Sequence, residues 1–167
     1  GGLKIGIFGL STPETAYKTN PKNVEGLTFE NPVEVAKKMV EELKAKDVDA
    51  IIALVHLGID KESVDTSYLL RDNVEGIDLI IDGHSHSKLE TIDNEGKDVK
   101  IVSTGEYNNN LGIVKLTFVD GELKDVEPSV FSSEDAAEWE ADPEVSAIIK
   151  EVNEKNKEIT SVVVGKT

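Results

Sequence analysis

The chain opens with Leu3-Lys4-Ile5-Gly6-Ile7-Phe8-Gly9-Leu10, an apolar, β-rich run closed by the turn-prone Ser11-Thr12-Pro13. That pattern predicts a buried strand starting almost at the first residue. Residues 14–31 hold Pro21, Gly26 and several polar positions and read as a long loop. Asn31-Pro32 then supplies a helix N-cap followed by proline at the first helical position. Val33, Ala36, Val40 and Leu43 recur at three- and four-residue spacing, which predicts an amphipathic helix to about Lys46. Between Asp49 and Leu57 the residues Ala50-Ile51-Ile52-Ala53-Leu54-Val55 form a continuous apolar run, as in a strand buried on both faces of a parallel sheet. A helix over Lys61–Arg71 and a third buried strand over Ile77–Ile81, ending at Asp82-Gly83, continue the pattern.

The texture changes after residue 88. Leu89–Ile92 and Lys100–Ser103 flank Asn94-Glu95-Gly96, and Leu111–Val119 and Leu123–Val130 flank Asp120-Gly121. Both read as antiparallel hairpins, because the central residues tolerate positive φ. Asp142-Pro143-Glu144 begins a final helix with Val145, Ile148, Ile149, Val152 and Ile159 on one stripe and Gly165 as its terminator. The expected class is α/β with a mixed sheet, parallel strands first and antiparallel hairpins after. No internal repeat or low-complexity tract interrupts it.

At 167 residues and 38% hydrophobic content, the chain is the size of one domain and can fill a core. Eighteen basic against thirty-three acidic residues give a net charge of −15, a field that repels polyanions, so no nucleic-acid polymer is expected as a partner. The same field opposes a phosphorylated substrate unless bound cations or a partner domain reverse it locally. The absence of cysteine excludes a disulfide scaffold and thiolate metal sites and leaves both redox compartments open. The longest apolar runs, Ile51–Val55 and Leu79–Ile81, fall far short of the roughly 20 residues that cross a bilayer, so no transmembrane segment is expected. The amino terminus carries no signal-peptide pattern and starts with Gly1 rather than methionine, which reads as a processed or subcloned chain.

The chemistry concentrates in the three histidines, all just after predicted strands: His56 in Val55-His56-Leu57-Gly58, then His84 and His86 in Asp82-Gly83-His84-Ser85-His86. In open α/β sheets the carboxyl edge of the strands is where loops converge on ligands, so these imidazoles can meet despite their separation in sequence. Gly58 and Gly83 permit close backbone approach, and neutral imidazole is a common ligand for zinc, manganese or iron. A single strand-end histidine is more often a hydrogen-bonded structural residue than a ligand. His84 and His86 lie two apart, which on extended backbone turns both side chains to one side.

Val55-His56-Leu57-Gly58 followed by Gly76-Ile77-Asp78-Leu79-Ile80-Ile81-Asp82-Gly83-His84-Ser85-His86 resembles the last two metal-binding motifs of calcineurin-like metallophosphoesterases, in their 5′-nucleotidase branch. Leu3 to Thr15 is similar to the strand and loop after that family's asparagine-histidine motif. Ser103-Thr104-Gly105-Glu106-Tyr107 through Leu111-Gly112 is similar to the late strands of its catalytic domain, and Asp142–Gly165 to the helix leading into its second domain. The resemblance implies half of a four-layer α/β/β/α sandwich: residues 1–140 as the carboxyl-terminal half of the catalytic domain, and 141–167 as a linker helix toward an absent substrate-binding domain.

It also implies hydrolysis of nucleotide phosphoesters, of 5′-nucleotidase or 2′,3′-cyclic nucleotide phosphodiesterase type, by a hydroxide activated by two divalent ions such as zinc or manganese. His56 and His84 would bind one ion and His86 the other. An extracellular, cell-surface or periplasmic protein is implied as well. The early aspartate, histidine and asparagine ligands and the family's catalytic histidine have no counterpart here, so the resemblance puts them upstream of Gly1, with no catalytic residue in this chain. Two divalent ions about 3.5 Å apart repel by roughly 5 kcal/mol at the dielectric of water and by about four times that at an effective dielectric of about 20. Neutral imidazoles do not offset that repulsion. The chain alone is therefore expected to hold an incomplete site and to be inactive without the missing amino-terminal half, whose absence would invite self-association through an uncovered apolar surface.

Asp82, Ser85 or backbone carbonyls are candidates to orient the imidazoles from behind. Asp60, Asp78 and Asp82 lie near the histidines in sequence, but Asp78 and Asp82 fit strand-end structural roles. Asn108 and Asn109, after Tyr107, sit where a loop could reach a substrate cleft and also where asparagine favours a turn. Trp139 is expected to pack the last helix against the sheet. The acidic cluster Glu134, Asp135, Glu138 and Glu140 lacks the spacing of a calcium loop and reads as solvated surface. Two other classes stay open: a self-sufficient three-histidine hydrolase with one metal, and a non-catalytic binding module whose histidines face the core.

Overall fold

The computed structural model describes residues 2–162 and 165. Strands β1 (Ile5–Ser11), β2 (Ala50–His56), β3 (Leu79–Ile81) and β4 (Lys100–Val102) lie side by side in chain order as a parallel sheet. Their register runs from Ile5 opposite Ala50 to Ser11 opposite His56, so β1 and β2 end together. A short helix α1 (Thr15–Lys18) follows β1, α2 (Pro32–Lys44) connects β1 to β2, and α3 (Ser67–Asn73) connects β2 to β3.

Asn31 caps α2 as its sequence predicts, its Oδ1 accepting from the backbone of Val33 at 3.0 Å and Glu34 at 3.2 Å. Right-handed crossovers that always advance in the same direction across the sheet deliver successive helices to the same face. The core accordingly lies on one side, where Ala36, Val40 and Leu43 of α2 and Leu70 of α3 meet Phe8, Ile51, Ala53, Val55, Ile80 and Ile101. Gly6 permits this contact, since a Cβ there would stand 3.1 Å from the Leu43 side chain.

The opposite face is open over β1 and β2: Ile7 is 59% and Leu54 53% exposed. The expectation that the Ala50–Val55 run is buried on both faces is thus corrected, because both crossover helices lie on one side. Toward β3 and β4 the open face is covered by an antiparallel hairpin, β5 (Asn110–Val119) and β6 (Glu122–Ser132). A cavity of about 260 Å³ remains between Ile52, Ile81 and Val102 of the sheet and Val114, Leu116 and Val130 of the hairpin. Asp120 (φ 54°) and Gly121 (φ 83°) make its two-residue turn, and their positive φ matches the twist of the strands.

Three other expectations change. Residues 14–31 are not wholly loop, since they contain α1 and a 3-10 turn at Pro21–Asn23. The helix expected from Lys61 begins only at Ser67. Before it, Asp60 Oδ1 accepts from the backbone of Glu62 (3.1 Å) and Ser63 (2.8 Å), an Asx turn that competes with helix, and Thr66 caps the true start. The hairpin expected around Asn94-Glu95-Gly96 does not form: Leu89–Thr91 is a 3-10 turn and Lys100–Val102 joins the parallel sheet as β4. The Asn94 side chain takes the place of a strand partner, accepting from Ile101 N at 2.9 Å and donating to Ile101 O at 2.7 Å.

The chain divides into two compact units, residues 1–133 and 134–167. The second contains α4 (Pro143–Thr160), capped by Asp142, whose Oδ1 accepts from Glu144 N and Val145 N, each at 2.9 Å. The helix closes at Ser161, whose N–H reaches Lys157 O at 3.0 Å, ahead of the expected terminator Gly165. Residues 163–164 and 166–167 of the expected linker lie outside the described residues.

One-sided burial makes a direct prediction. Leu70→Ala, at a fully buried position, lowers unfolding stability in urea by about 3 kcal/mol. Leu54→Ala, on the open face, changes it by no more than about 0.5 kcal/mol.

Candidate functional site

The site is built at the carboxyl edge of the parallel sheet. His56 is the last residue of β2 and shares the open face with Leu54, two positions earlier. His84 follows β3 by a short connection. The two rings meet edge to face, with centroids 5.0 Å apart and planes at 67°.

Asp82 joins the two turns. Its Oδ1 accepts from Leu57 N at 3.0 Å, Gly58 N at 3.2 Å and Gly83 N at 2.7 Å. One carboxylate oxygen therefore ties the backbone just after His56 to the backbone just before His84. At the opposite end of the strands the Asp78 side chain accepts from Ile51 N at 2.7 Å. Both behave as the strand-end residues their sequence positions suggest.

The glycines are needed where the turns close. A Cβ on Gly83 would stand 3.1 Å from His56 Nδ1. At Gly58, with φ +83°, it would fall 2.3 Å from Ser63 Oγ and 3.2 Å from His84 Cδ2. Ser63 Oγ is itself committed to Asp60 Oδ1 at 2.7 Å. That hydrogen bond leads the effects that hold the Asp60 carboxyl below its ordinary pKa.

The backbone around the later histidines is not extended, which corrects the expectation that His84 and His86 project together. His84 has φ 76° and His86 φ 53°. The N–H of Ser85 reaches Gly83 O at 3.0 Å, closing a three-residue turn with His84 at its centre. That γ-turn conformation with positive φ is rare and strained.

His86 consequently pairs elsewhere. Its Nδ1 lies 2.6 Å from Glu106 Oε2, and its ring stands edge-on to Tyr107 at 6.0 Å. Among the described residues no group of three or more His, Asp or Glu is gathered as a metal site. The structure brings His56 and His84 together and holds His86 on a separate carboxylate.

The other sequence candidates have visible partners. Ser85 Oγ accepts from Ile59 N at 3.1 Å and contacts Ser87 Oγ at 2.9 Å, so it braces the turn and is not engaged with an imidazole. Asn108 has φ 56° after Tyr107 at φ 57°, and Asn109 N–H reaches Glu106 O at 3.1 Å. These asparagines therefore build a tight turn beside Glu106.

A residue that sequence reasoning missed completes the arrangement. Glu14, 2% exposed, follows β1. Its Oε2 lies 3.1 Å from His84 Nε2, and its Oε1 receives Lys18 Nζ at 2.7 Å and the Tyr17 hydroxyl at 3.3 Å. The hydrogen bond from Lys18 is the main cause holding the Glu14 carboxyl below its ordinary range, against a desolvation that pushes it up. Desolvation and the Glu14 charge together push the Tyr17 phenol up. The available signals were the position of Glu14 at the strand edge shared with the histidines and its i,i+4 relation to Lys18.

No family model matches the chain. It is 34% identical over 121 residues, 70% of its length, to the trifunctional nucleotide phosphoesterase protein YfkN of Bacillus subtilis, of which it spans 8%. It is 28% identical over 137 residues, 72% of its length, to the 5′-nucleotidase of Mus musculus, of which it spans 23%. The crystal structure of calcineurin-like phosphoesterase YfkN from Bacillus subtilis superposes with a TM-score of 0.77 at 26% identity, over 96% of this chain and 54% of that one. The chain thus spans less than a quarter of these two curated relatives.

Two outcomes are expected of the site residues. Asp82→Ala leaves the backbone donors of Leu57, Gly58 and Gly83 without their acceptor and lowers stability by about 3 kcal/mol, measured by urea unfolding. Because the Glu14 pKa is lowered by folding, its contribution is full above the unfolded-state value and is lost as pH falls through the folded one. Glu14→Gln is therefore less stable than wild type at neutral pH, and thermal melts across the acidic range show the two converging.

Proposed function

We propose that this chain, which belongs to the calcineurin-like phosphoesterase/5′-nucleotidase family by homology over most of its length, is the carboxyl-terminal half of a metal-dependent phosphoric ester hydrolase domain. Its homologues are phosphoesterase hydrolases. In this reading the parent acts on nucleotide phosphoesters, of 5′-nucleotidase or 2′,3′-cyclic nucleotide phosphodiesterase type, and works in an extracellular, cell-surface or periplasmic setting.

The observation that carries the reading is the meeting of the His56 and His84 rings, 5.0 Å apart at the carboxyl edge of a parallel sheet. Two imidazoles meeting beyond adjacent parallel strands, with glycine where a side chain would press on a ring, suit a divalent cation, in their neutral form, as part of its ligand set. The family implies divalent metal ions. The described residues gather no set of three or more donors, so this chain contributes a fraction of the site and the rest of the parent domain contributes the remainder. Divalent cations bound there would acidify water and stabilise charge on the phosphoryl oxygens.

The chain's own residues do the holding. Asp82 fixes the spacing of the two turns, Ser85 braces the second, and His86 supplies a further imidazole beside Glu106. The net charge of −15 attracts cations and opposes a phosphoester until those cations arrive.

The test joins residues 1–167 to the upstream segment of the parent reading frame and follows phosphate release from nucleotides with manganese or zinc. Turnover that needs both pieces, and that falls at least about 100-fold in His84→Ala, is the expected result. Metal-dependent turnover by the 167-residue chain alone would overturn the reading in favour of a self-sufficient one-metal hydrolase.

A further inference from the structure

His84 has two ring nitrogens, and the structure commits one of them. Nε2 faces Glu14 Oε2 at 3.1 Å, and the side chain of that glutamate is only 3% exposed. Its two oxygens divide their work. Oε1 receives the Lys18 ammonium at 2.7 Å and the Tyr17 hydroxyl at 3.3 Å, while Oε2 is turned to the imidazole, with the Thr12 hydroxyl at 3.5 Å.

A carboxylate facing an ammonium and a phenol hydroxyl is an acceptor, so the proton in the contact with His84 belongs to Nε2. In the neutral form of the ring the lone pair is then left on Nδ1. A ligand ring whose second nitrogen bonds a carboxylate has its tautomer and orientation set before any ion arrives. An ion pair with Lys18, whose side chain is half exposed, would need none of this, because Lys18 occupies the other oxygen. The strained turn at His84, φ 76°, gives the contact a further task. A ring on a left-handed backbone position is aimed by what holds its far end, and Glu14 does so from a loop 70 residues away in sequence.

We propose that Glu14 is a positioning residue for the cation site: by accepting the Nε2 proton of His84 it sets the tautomer and leaves Nδ1 as the metal donor. This rests on the reading of His56 and His84 as cation ligands given above.

The test uses the full 167-residue chain with nitrogen-labelled imidazoles and Zn²⁺ as the probe, at a mildly alkaline pH. In the metal-free wild type, the His84 proton is expected on Nε2 in slow exchange with water, and added Zn²⁺ shifts the Nδ1 resonance. Glu14→Ala loses the slowly exchanging proton and binds Zn²⁺ about tenfold more weakly or worse. Glu14→Gln, whose amide oxygen still accepts, recovers the proton and most of the affinity.

Zn²⁺ on Nε2 of His84 in the wild type overturns the proposal, and that measurement decides even if Glu14→Ala does not fold. The proposal is equally overturned if Glu14→Ala binds Zn²⁺ as wild type does while His84→Ala binds it weakly. Unchanged Zn²⁺ binding by His84→Ala instead sinks the ligand assignment itself, and is recognised separately because Glu14 is intact in that variant.

Discussion

The geometry of the site depends on one carboxylate oxygen. Oδ1 of Asp82 takes hydrogen bonds from the backbone of Leu57, Gly58 and Gly83, and so spans the gap between two parallel strands that have just ended. Beyond a strand end the ladder no longer supplies partners, and each backbone donor must find another or remain costly. Asp82 supplies them from a single point. The turn after β2 and the turn after β3 therefore cannot move independently, and the imidazoles they carry are held at contact distance. Gly58 and Gly83 are the steric counterpart of that restraint, since a Cβ at either position would press on a histidine ring.

Several carboxylates near the histidines have protein partners of this kind. Asp82 serves backbone, Asp60 serves Ser63, Glu106 serves His86, and Glu14 is shared between Lys18 and His84. In Asp82, Asp60 and Glu106 these contacts fall on one oxygen of each carboxylate, which anchors the group while its charge still reaches the site. In a chain of net charge −15 these carboxylates add to a long-range attraction for cations.

The sequence made local structure legible wherever local physics decides it. The apolar runs marked β1 to β3, Asn31-Pro32 and Asp142-Pro143 marked helix starts, and Asp120-Gly121 marked the hairpin turn, each through a mechanism confined to a few residues. Errors arose where a distant partner decides. Lys100–Val102 has the composition of a hairpin strand but pairs in parallel with β3, because the Asn94 side chain occupies the outer edge that a hairpin partner would have used. The Ala50–Val55 run reads as doubly buried, yet the constant direction of the crossovers leaves one face open. At the site, strand-end position was enough to expect that His56 and His84 meet, as their rings do. The γ-turn at His84 and the approach of Glu14 across 70 residues of sequence leave no periodic trace.

The open face and the site are two aspects of the same topology. His56 belongs to the row of β2 that also presents Leu54, and Ile7 of β1 extends that apolar surface. Any body that covers this face therefore also comes to the imidazole pair. Apolar burial can hold such a body in place, and its arrival removes water from one side of the site. Electrostatic interactions strengthen as the local dielectric falls, and so does the cost of an unpaired buried charge, so such a roof favours a cation at the rings only if it brings anionic groups with it. In the proposed half-domain packing and chemistry would be coupled, because a contact that buries Ile7 and Leu54 also reaches the edge where the His56 and His84 rings meet.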